Sequence, residues 1–173
     1  MKTLEDCGIS LPEREAVWDD PTAGTRRAEA MEKVHALVGV RERCGKELRE
    51  RLVRCGFTDS EAAEAVDAAQ RCGLVSDERY ASALIRGKTR AGWGREKILA
   101  RLREMRISEA TIESCAEDFA TPEEERVRAM ADLEAHPCRS ANPRASLVRR
   151  LVGKGYSFGL SREVVSEFLA RAS

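Results

Sequence analysis

The sequence predicts an all-α chain: an elongated tandem array of three three-helix repeats. Three observations carry this. Aromatic residues make up 5% of the 173 residues while hydrophobic residues reach 42%. Ala, Leu and Val must therefore supply most of the core, which suits helix packing better than sheets. From about Ala28 the apolar residues recur three and four apart, the spacing of one helix face. One apolar register then repeats at offsets of about 50 residues: Val34/Leu48/Leu52/Phe57 maps onto Leu84/Ile98/Leu102/Ile107 and onto Leu133/Leu147/Leu151/Tyr156. A unit of that length buries little core alone, so neighbours pack in a row.

Residues 1–27 read as a flexible acidic arm, broken by Pro12, Pro21 and Gly24. Repeat 1 spans 28–75. Met31, Val34, Leu37 and Val38 form its first stripe, and Leu48, Leu52 and Cys55 its second, ended at Gly56. Thr58 and Glu61 make a capping box for a third helix carrying Ala62, Val66 and Ala69 inward, which stops at Gly73. Repeat 2 spans 76–120. Ser76 opens a helix with Tyr80, Ala81, Leu84 and Ile85. A Gly92–Trp93–Gly94 elbow leads to Ile98, Leu102 and Met105, and Ser108 caps a helix with Ile112, Cys115 and Phe119. Repeat 3 spans 121–173. Thr121–Pro122–Glu123–Glu124 is a helix start, His136–Pro137 a break, and Asn142–Pro143 a second start. Gly155 ends that helix, and Val164, Val165, Phe168 and Leu169 mark the last one. Repeats 1 and 3 place Gly56 and Gly155 before an aromatic residue where repeat 2 has Arg106. A left-handed arginine costs about 1 kcal/mol or more, so this helix is expected to end differently.

No apolar run approaches the ~18 residues of a membrane span, and the N-terminus lacks a signal-peptide pattern. A cytoplasmic protein is expected. The six cysteines, at positions 7, 44, 55, 72, 115 and 138, never fall at zinc-knuckle spacing, and His35 and His136 stand alone. No metal site and no cofactor are expected, and Cys55 and Cys72 read as small, half-buried helix residues. A P-loop, a dinucleotide glycine motif, HExxH and a nucleophile elbow are all absent from the sequence, which points away from an enzyme.

The zero net charge conceals segregation. From Arg79 to Arg106 there are nine Lys/Arg against Glu96 and Glu104, and from Arg139 to Lys154 five basic residues and no acid. In repeat 1, Glu47–Arg51 and Glu50–Arg54 have the i,i+4 spacing that neutralises charge within a helix. In repeats 2 and 3 the same spacing gives like-charged pairs, Arg86–Arg90, Lys97–Arg101 and Arg150–Lys154. Such faces suit an anionic partner. The candidate contacts for a partner or nucleic acid are Arg79, Arg86, Lys88, Arg90, Trp93, Arg95, Lys97, Arg101, Arg103, Arg149, Arg150 and Lys154. Trp93 has two readings: a plug setting the angle between two helices, or an exposed aromatic for stacking.

Several of these segments resemble the RecX family. Gly73–Leu74–Val75–Ser76–Asp77–Glu78–Arg79–Tyr80–Ala81 is similar to its "G-L-L-D/N-D-E-R-F/Y-A" signature, and Arg90–Ala91–Gly92–Trp93–Gly94 with Lys97–Ile98 to its "R-x-x-G-x-G-x-x-x-I", with one residue fewer between the arginine and the first glycine. Glu47–Leu48 to Gly56–Phe57 resembles "E-L-x-x-K/R-L-x-x-K/R-G-F", and Gly155–Tyr156–Ser157–Phe158 resembles "R-G-F-S-Y". The resemblance covers about residues 28–169. It implies tandem three-helix repeats without enzyme activity, and a regulator of the RecA recombinase in homologous recombination, DNA repair and the SOS response. Such a protein lies along the RecA filament on single-stranded DNA and limits strand exchange and ATP hydrolysis. A monomer is expected. Arg106, the acidic arm and the low overall basicity depart from the family. Two alternatives are an independent helical DNA-binding module and a helical scaffold for another client.

Overall fold

The computed structural model of the chain describes residues 21–136, 138 and 140–171. Residues 1–20, most of the expected arm, lie outside the described residues, as do Pro137 and Arg139. Repeat 1 is formed by α1 (Pro21–Val38), α2 (Gly45–Arg54) and α3 (Asp59–Arg71). Repeat 2 is formed by α4 (Asp77–Arg90), α5 (Arg95–Glu104) and α6 (Glu109–Ser114), the last continued by a 3₁₀ turn at Ala116–Asp118. Repeat 3 is formed by α7 (Pro122–Ala135), α8 (Pro143–Lys154) and α9 (Phe158–Arg171). The described residues contain no strand.

The helix starts follow from their caps. Each start leaves four N–H groups without an intrahelical acceptor. The Thr58/Glu61 and Thr121/Glu124 boxes close at the heads of α3 and α7. Ser76 accepts from the Arg79 N–H at 3.2 Å, Ser108 from Thr111 at 3.1 Å and Asn142 from Ala145 at 3.2 Å. α1 begins at Pro21, earlier than the sequence places it. Two arginines fasten this extra stretch to the rest of repeat 1. Arg26 donates to Glu61 at 2.6 Å and to the Gly56 carbonyl at 3.0 Å, with its guanidinium 5.1 Å from the Phe57 ring centre, and Arg27 pairs with Glu64.

Arg26 and the Thr58 backbone N–H hold the Glu61 carboxyl well down, at about 2 against its ordinary 4.5. A carboxylate depressed on folding stabilises the fold above its unfolded value and loses that contribution as pH falls toward the folded one. Glu61→Gln is therefore expected to lower stability by the same amount at pH 7 and pH 5. The difference from wild type should shrink between about pH 4.5 and 2, read from urea unfolding at each pH.

Each repeat has its own core. Val34, Leu48, Leu52 and Val66 are buried in the first, Ile85, Ile98, Leu102 and Ile112 in the second, and Leu133, Leu147, Leu151 and Val164 in the third. Burying one such side chain contributes roughly 1.5–3 kcal/mol. The apolar register holds except at two points: in α4 Ile85 is fully buried and the expected Leu84 lies at the edge of the core, and after α2 Phe57 is only partly buried. Cys55 and Cys72, expected half-buried, are exposed, whereas Cys44 and Cys115 are buried.

The end of α5 also corrects the sequence. Arg106 does adopt the left-handed conformation, φ 60°, beside Gly56 at 94° and Gly155 at 93°. All three helices close with one bond pattern: Phe57 N–H to Leu52 O, Ile107 to Leu102 and Tyr156 to Leu151, at 3.2, 3.1 and 3.1 Å. Burial of Ile107 outweighs the local cost at Arg106. Arg106→Gly is expected to stabilise the chain by about 1 kcal/mol. A urea midpoint that stays put or falls would contradict this.

The repeats join end to end through their second helices. Gly94 at the head of α5 donates to the Lys154 carbonyl at 2.9 Å and Glu96 to the Gly155 carbonyl at 3.0 Å, both at the tail of α8. Open N–H groups of one helix thus meet open carbonyls of the next, with the two dipoles head to tail. Between repeats 1 and 2, side chains do this work. Cys44, fully buried, takes the place of Gly94 with its Sγ 4.0 Å from the Met105 carbonyl. Lys46 donates to the Glu104 carbonyl at 2.8 Å, and the Gly45 N–H to Asp77 at 3.1 Å.

Candidate functional site

The basic residues singled out in repeats 2 and 3 fall into two groups. Five have carboxylate partners. Arg79 donates to Glu42 at 2.9 Å and to the Gly73 and Leu74 carbonyls, so it ties α4 to the loop before α2 and to the end of repeat 1. Arg86 pairs with Asp118 at 2.8 Å, Arg101 with Glu104 at 2.6 Å, Arg103 with Glu109 at 2.8 Å and Lys154 with Asp132. The idea that repeat 2 leaves its charges unpaired is therefore corrected for Arg86, Arg101 and Arg103. Two of the three partners sit on following elements, which helical spacing does not reveal. Arg86 and Arg103 are 52% and 55% exposed, so these pairs contribute about 0–1 kcal/mol each and an incoming anion can exchange with them.

The expected neutralisation inside α2 is corrected as well. Glu47 pairs with Arg41 and Arg43 of the preceding loop rather than with Arg51. Glu50 pairs with Lys46 at 3.7 Å, while Arg54 donates to the Glu50 backbone carbonyl at 3.2 Å.

In the second group the side-chain cation has no carboxylate partner among the described residues: Lys88, Arg90, Arg95, Lys97, Arg149 and Arg150. Lys88 and Lys97 each place their ammonium 4.5 Å from the centre of the Trp93 ring. Trp93 is half-buried against the core of repeat 2, and its backbone N–H donates to the Lys88 carbonyl at 3.0 Å. Of the two readings of Trp93, the geometry fits the plug: the ring is half-buried in the elbow, with two lysines over its remaining surface. The ring fills the elbow, and its outer part holds two cations together. Each cation–π contact contributes roughly 0.5–1 kcal/mol at an exposed site, enough to order two lysines that would otherwise repel. Lys97 also donates to the Gly153 carbonyl at 3.4 Å, which sets this cationic shelf beside the joint to repeat 3.

The Arg95 guanidinium lies 4.3 Å from the centre of the Phe119 ring while the residue's backbone N–H donates to the Glu125 carboxylate at 2.8 Å, so Arg95 braces repeat 2 against α7. On α8, Arg149 donates to the Ala145 carbonyl at 3.4 Å and Arg150 to the His136 carbonyl at 2.6 Å. The twelve candidates therefore do not form one patch. Lys88, Trp93 and Lys97 come together, Arg90 follows on the same helix, and Arg149 and Arg150 belong to α8.

A second basic feature escaped the sequence. Lys46, Arg49, Arg54 and Arg106 line one hollow at the joint of repeats 1 and 2, together with Glu50 and Asp59. Three of these cations come from α2, whose acid–base spacing suggested a neutral helix. Around the corner lies a cleft between the two repeats, with Tyr80, Leu84, Gly87, Ala91 and Met105 in it. Burial pushes the Tyr80 phenol up to about 12, so it stays neutral at physiological pH, and burial also raises the Cys44 thiol. Among the described residues no cluster of His, Cys, Asp or Glu could hold a metal ion, and no helix is long and apolar enough to cross a membrane. What this surface offers chemically is cations, two of them held on an aromatic ring, for engaging an anionic partner.

Comparison with known proteins places the same segment in view. The model of the RecX second three-helix domain matches residues 76–115, which contain α4, α5 and α6. Over 156 residues the chain is 29% identical to the regulatory protein RecX of Mycolicibacterium smegmatis, covering 84% of this chain and 82% of that protein. Over 150 residues it is 29% identical to the regulatory protein RecX of Amycolatopsis mediterranei, covering 83% and 85%. Among solved structures, a regulatory protein RecX superposes with a TM-score of 0.68 at 18% identity over 83% of this chain and 73% of that one. RecX from Lactobacillus salivarius superposes at 0.67 and 16% identity over 84% and 97%. The structures share the all-helical fold. The sequence matches bear out the resemblance to RecX.

Proposed function

We propose that this RecX-family chain is a non-enzymatic regulator of the RecA recombinase, which binds along the RecA–single-stranded DNA filament and limits strand exchange and ATP hydrolysis. The observation that carries this is a coincidence of place. The segment that matches the RecX second domain, 76–115, is the one that gathers Lys88 and Lys97 on Trp93 and carries Arg90, which has no carboxylate partner among the described residues. A filament of protein on DNA presents phosphates and acidic side chains along a groove, and a row of repeats supplies an extended surface to follow it. The protein works in the cytoplasm as a monomer. It regulates by occupying a surface, which needs no catalytic residue of its own.

The test is a titration of the full chain into preformed RecA filaments on single-stranded DNA. ATP hydrolysis and strand exchange should both fall as the chain is added. Rates unchanged at every ratio would contradict the proposal. Arg149 and Arg150 on α8 favour a second reading, direct binding to DNA. In that case affinity for DNA without RecA would fall steeply with salt, with a log–log slope of about 0.7 per phosphate on single strands. A flat salt dependence would remove this reading and leave the first intact.

A further inference from the structure

The three repeats place different chemistry at one equivalent point, the first residue of the third helix. Repeat 1 has Asp59 there and repeat 2 has Glu109. Both acids suit a helix N-terminus, and both are met by an arginine of the preceding helix: Arg49 to Asp59 at 3.1 Å and Arg103 to Glu109 at 2.8 Å. In repeat 3 the same point holds Phe158, and the positions equivalent to Arg49 and Arg103 hold Val148 and Val152. An ion pair has been replaced by apolar residues on both sides.

The replacement does not bury itself. Phe158 is 63% exposed and Val152 42% exposed. The helix start is otherwise kept, since Ser157 accepts from the Leu160 N–H at 3.2 Å. Phenylalanine at this position gives up the favourable charge–dipole interaction without gaining a core contact, a local loss of the kind found at functional positions. A cation lies beside the ring. The Arg162 guanidinium lies 5.8 Å from the centre of the Phe158 ring, the first turn of α9 has no acid, and α8 carries Arg144, Arg149, Arg150 and Lys154 with no carboxylate at all. The first acid of α9 is Glu163.

We propose that Phe158, with Val152 and Arg162, is an anchor for a protein surface that carries an apolar pocket rimmed by carboxylates. Resting on the function proposed above, that surface belongs to a protomer of the filament. Repeat 2 then supplies cations to the filament, and repeat 3 supplies the apolar contact that fixes the register. Phenylalanine and arginine are both enriched at protein interfaces relative to the rest of the surface.

Two variants of the full chain test this, Phe158→Asp and Phe158→Ala. The first copies repeats 1 and 2 and favours the helix start, and the second removes the ring without adding charge. Binding to RecA filaments on single-stranded DNA and to the same DNA without RecA is measured in one buffer. Both variants should bind filaments about tenfold or more weakly, with DNA binding unchanged. Filament affinity that survives both variants overturns the anchor alone. An equal loss on DNA without RecA also overturns it, in favour of base stacking. Wild-type chain that fails to bind filaments removes the regulator function and the anchor with it.

Discussion

Gly94→Ala is expected to open the joint between repeats 2 and 3. A Cβ on Gly94 would lie 2.3 Å from both the carbonyl carbon and the oxygen of Gly155, and 2.4 Å from the Tyr156 nitrogen. All three are backbone atoms at the tail of α8, so no side chain can turn aside to relieve the contact. Gly94 itself has φ −78°, a conformation alanine adopts freely, so the whole effect is steric. The tail of α8 must withdraw, which costs the Gly94–Lys154 and Glu96–Gly155 hydrogen bonds. Overpacking of about 1–3 kcal/mol and two backbone bonds at about 1 kcal/mol each add to roughly 3–5 kcal/mol. Each repeat keeps its own core, so helix content should change little. The loss appears as a lowered unfolding midpoint, together with faster hydrogen exchange at Gly94 and Glu96. A midpoint within about 0.5 kcal/mol of wild type would show that the repeats do not meet there.

The second large effect is on partner binding. Lys88→Glu with Arg90→Glu should weaken binding to RecA filaments by about 2 kcal/mol, roughly 30-fold, while leaving the fold intact. The Lys88 side chain lies on the Trp93 ring and lines the cleft, and neither it nor the exposed Arg90 has an ion pair among the described residues. Their reversal removes no bond that holds the repeats. Arg86 would be a poor choice for the same experiment. Reversing it leaves a carboxylate against Asp118 and confuses stability with contact. Inhibition of ATP hydrolysis that persists in the double variant would place the filament contact away from this face.

Local signals made much of the architecture legible in the sequence. Capping boxes such as Thr58/Glu61 and Thr121/Glu124 depend on residues three apart, and the stripes Leu48/Leu52, Ile98/Leu102 and Leu147/Leu151 on residues four apart. Their recurrence at a fixed interval then revealed the repeats. The joints were illegible because they bring together residues remote in the chain. Nothing in Gly94 or Gly155 alone says that one backbone will rest on the other. Charge pairing failed for the same reason, since Arg86 finds Asp118 32 residues away. At Arg106 the local cost of a left-handed residue points the wrong way. Burial of Ile107 and the closing bond to Leu102 decide that turn. Lys88 and Lys97 stand out in the sequence as cations near Trp93, yet only the fold shows them sharing its ring.

A reconstruction of the chain bound to a RecA filament on single-stranded DNA tests the central claim most directly. The predicted result is continuous density for all three repeats along the filament groove, with Lys88, Trp93 and Lys97 of repeat 2 facing the filament. Density confined to free DNA, or a bound chain whose repeat 2 faces solvent, would contradict it.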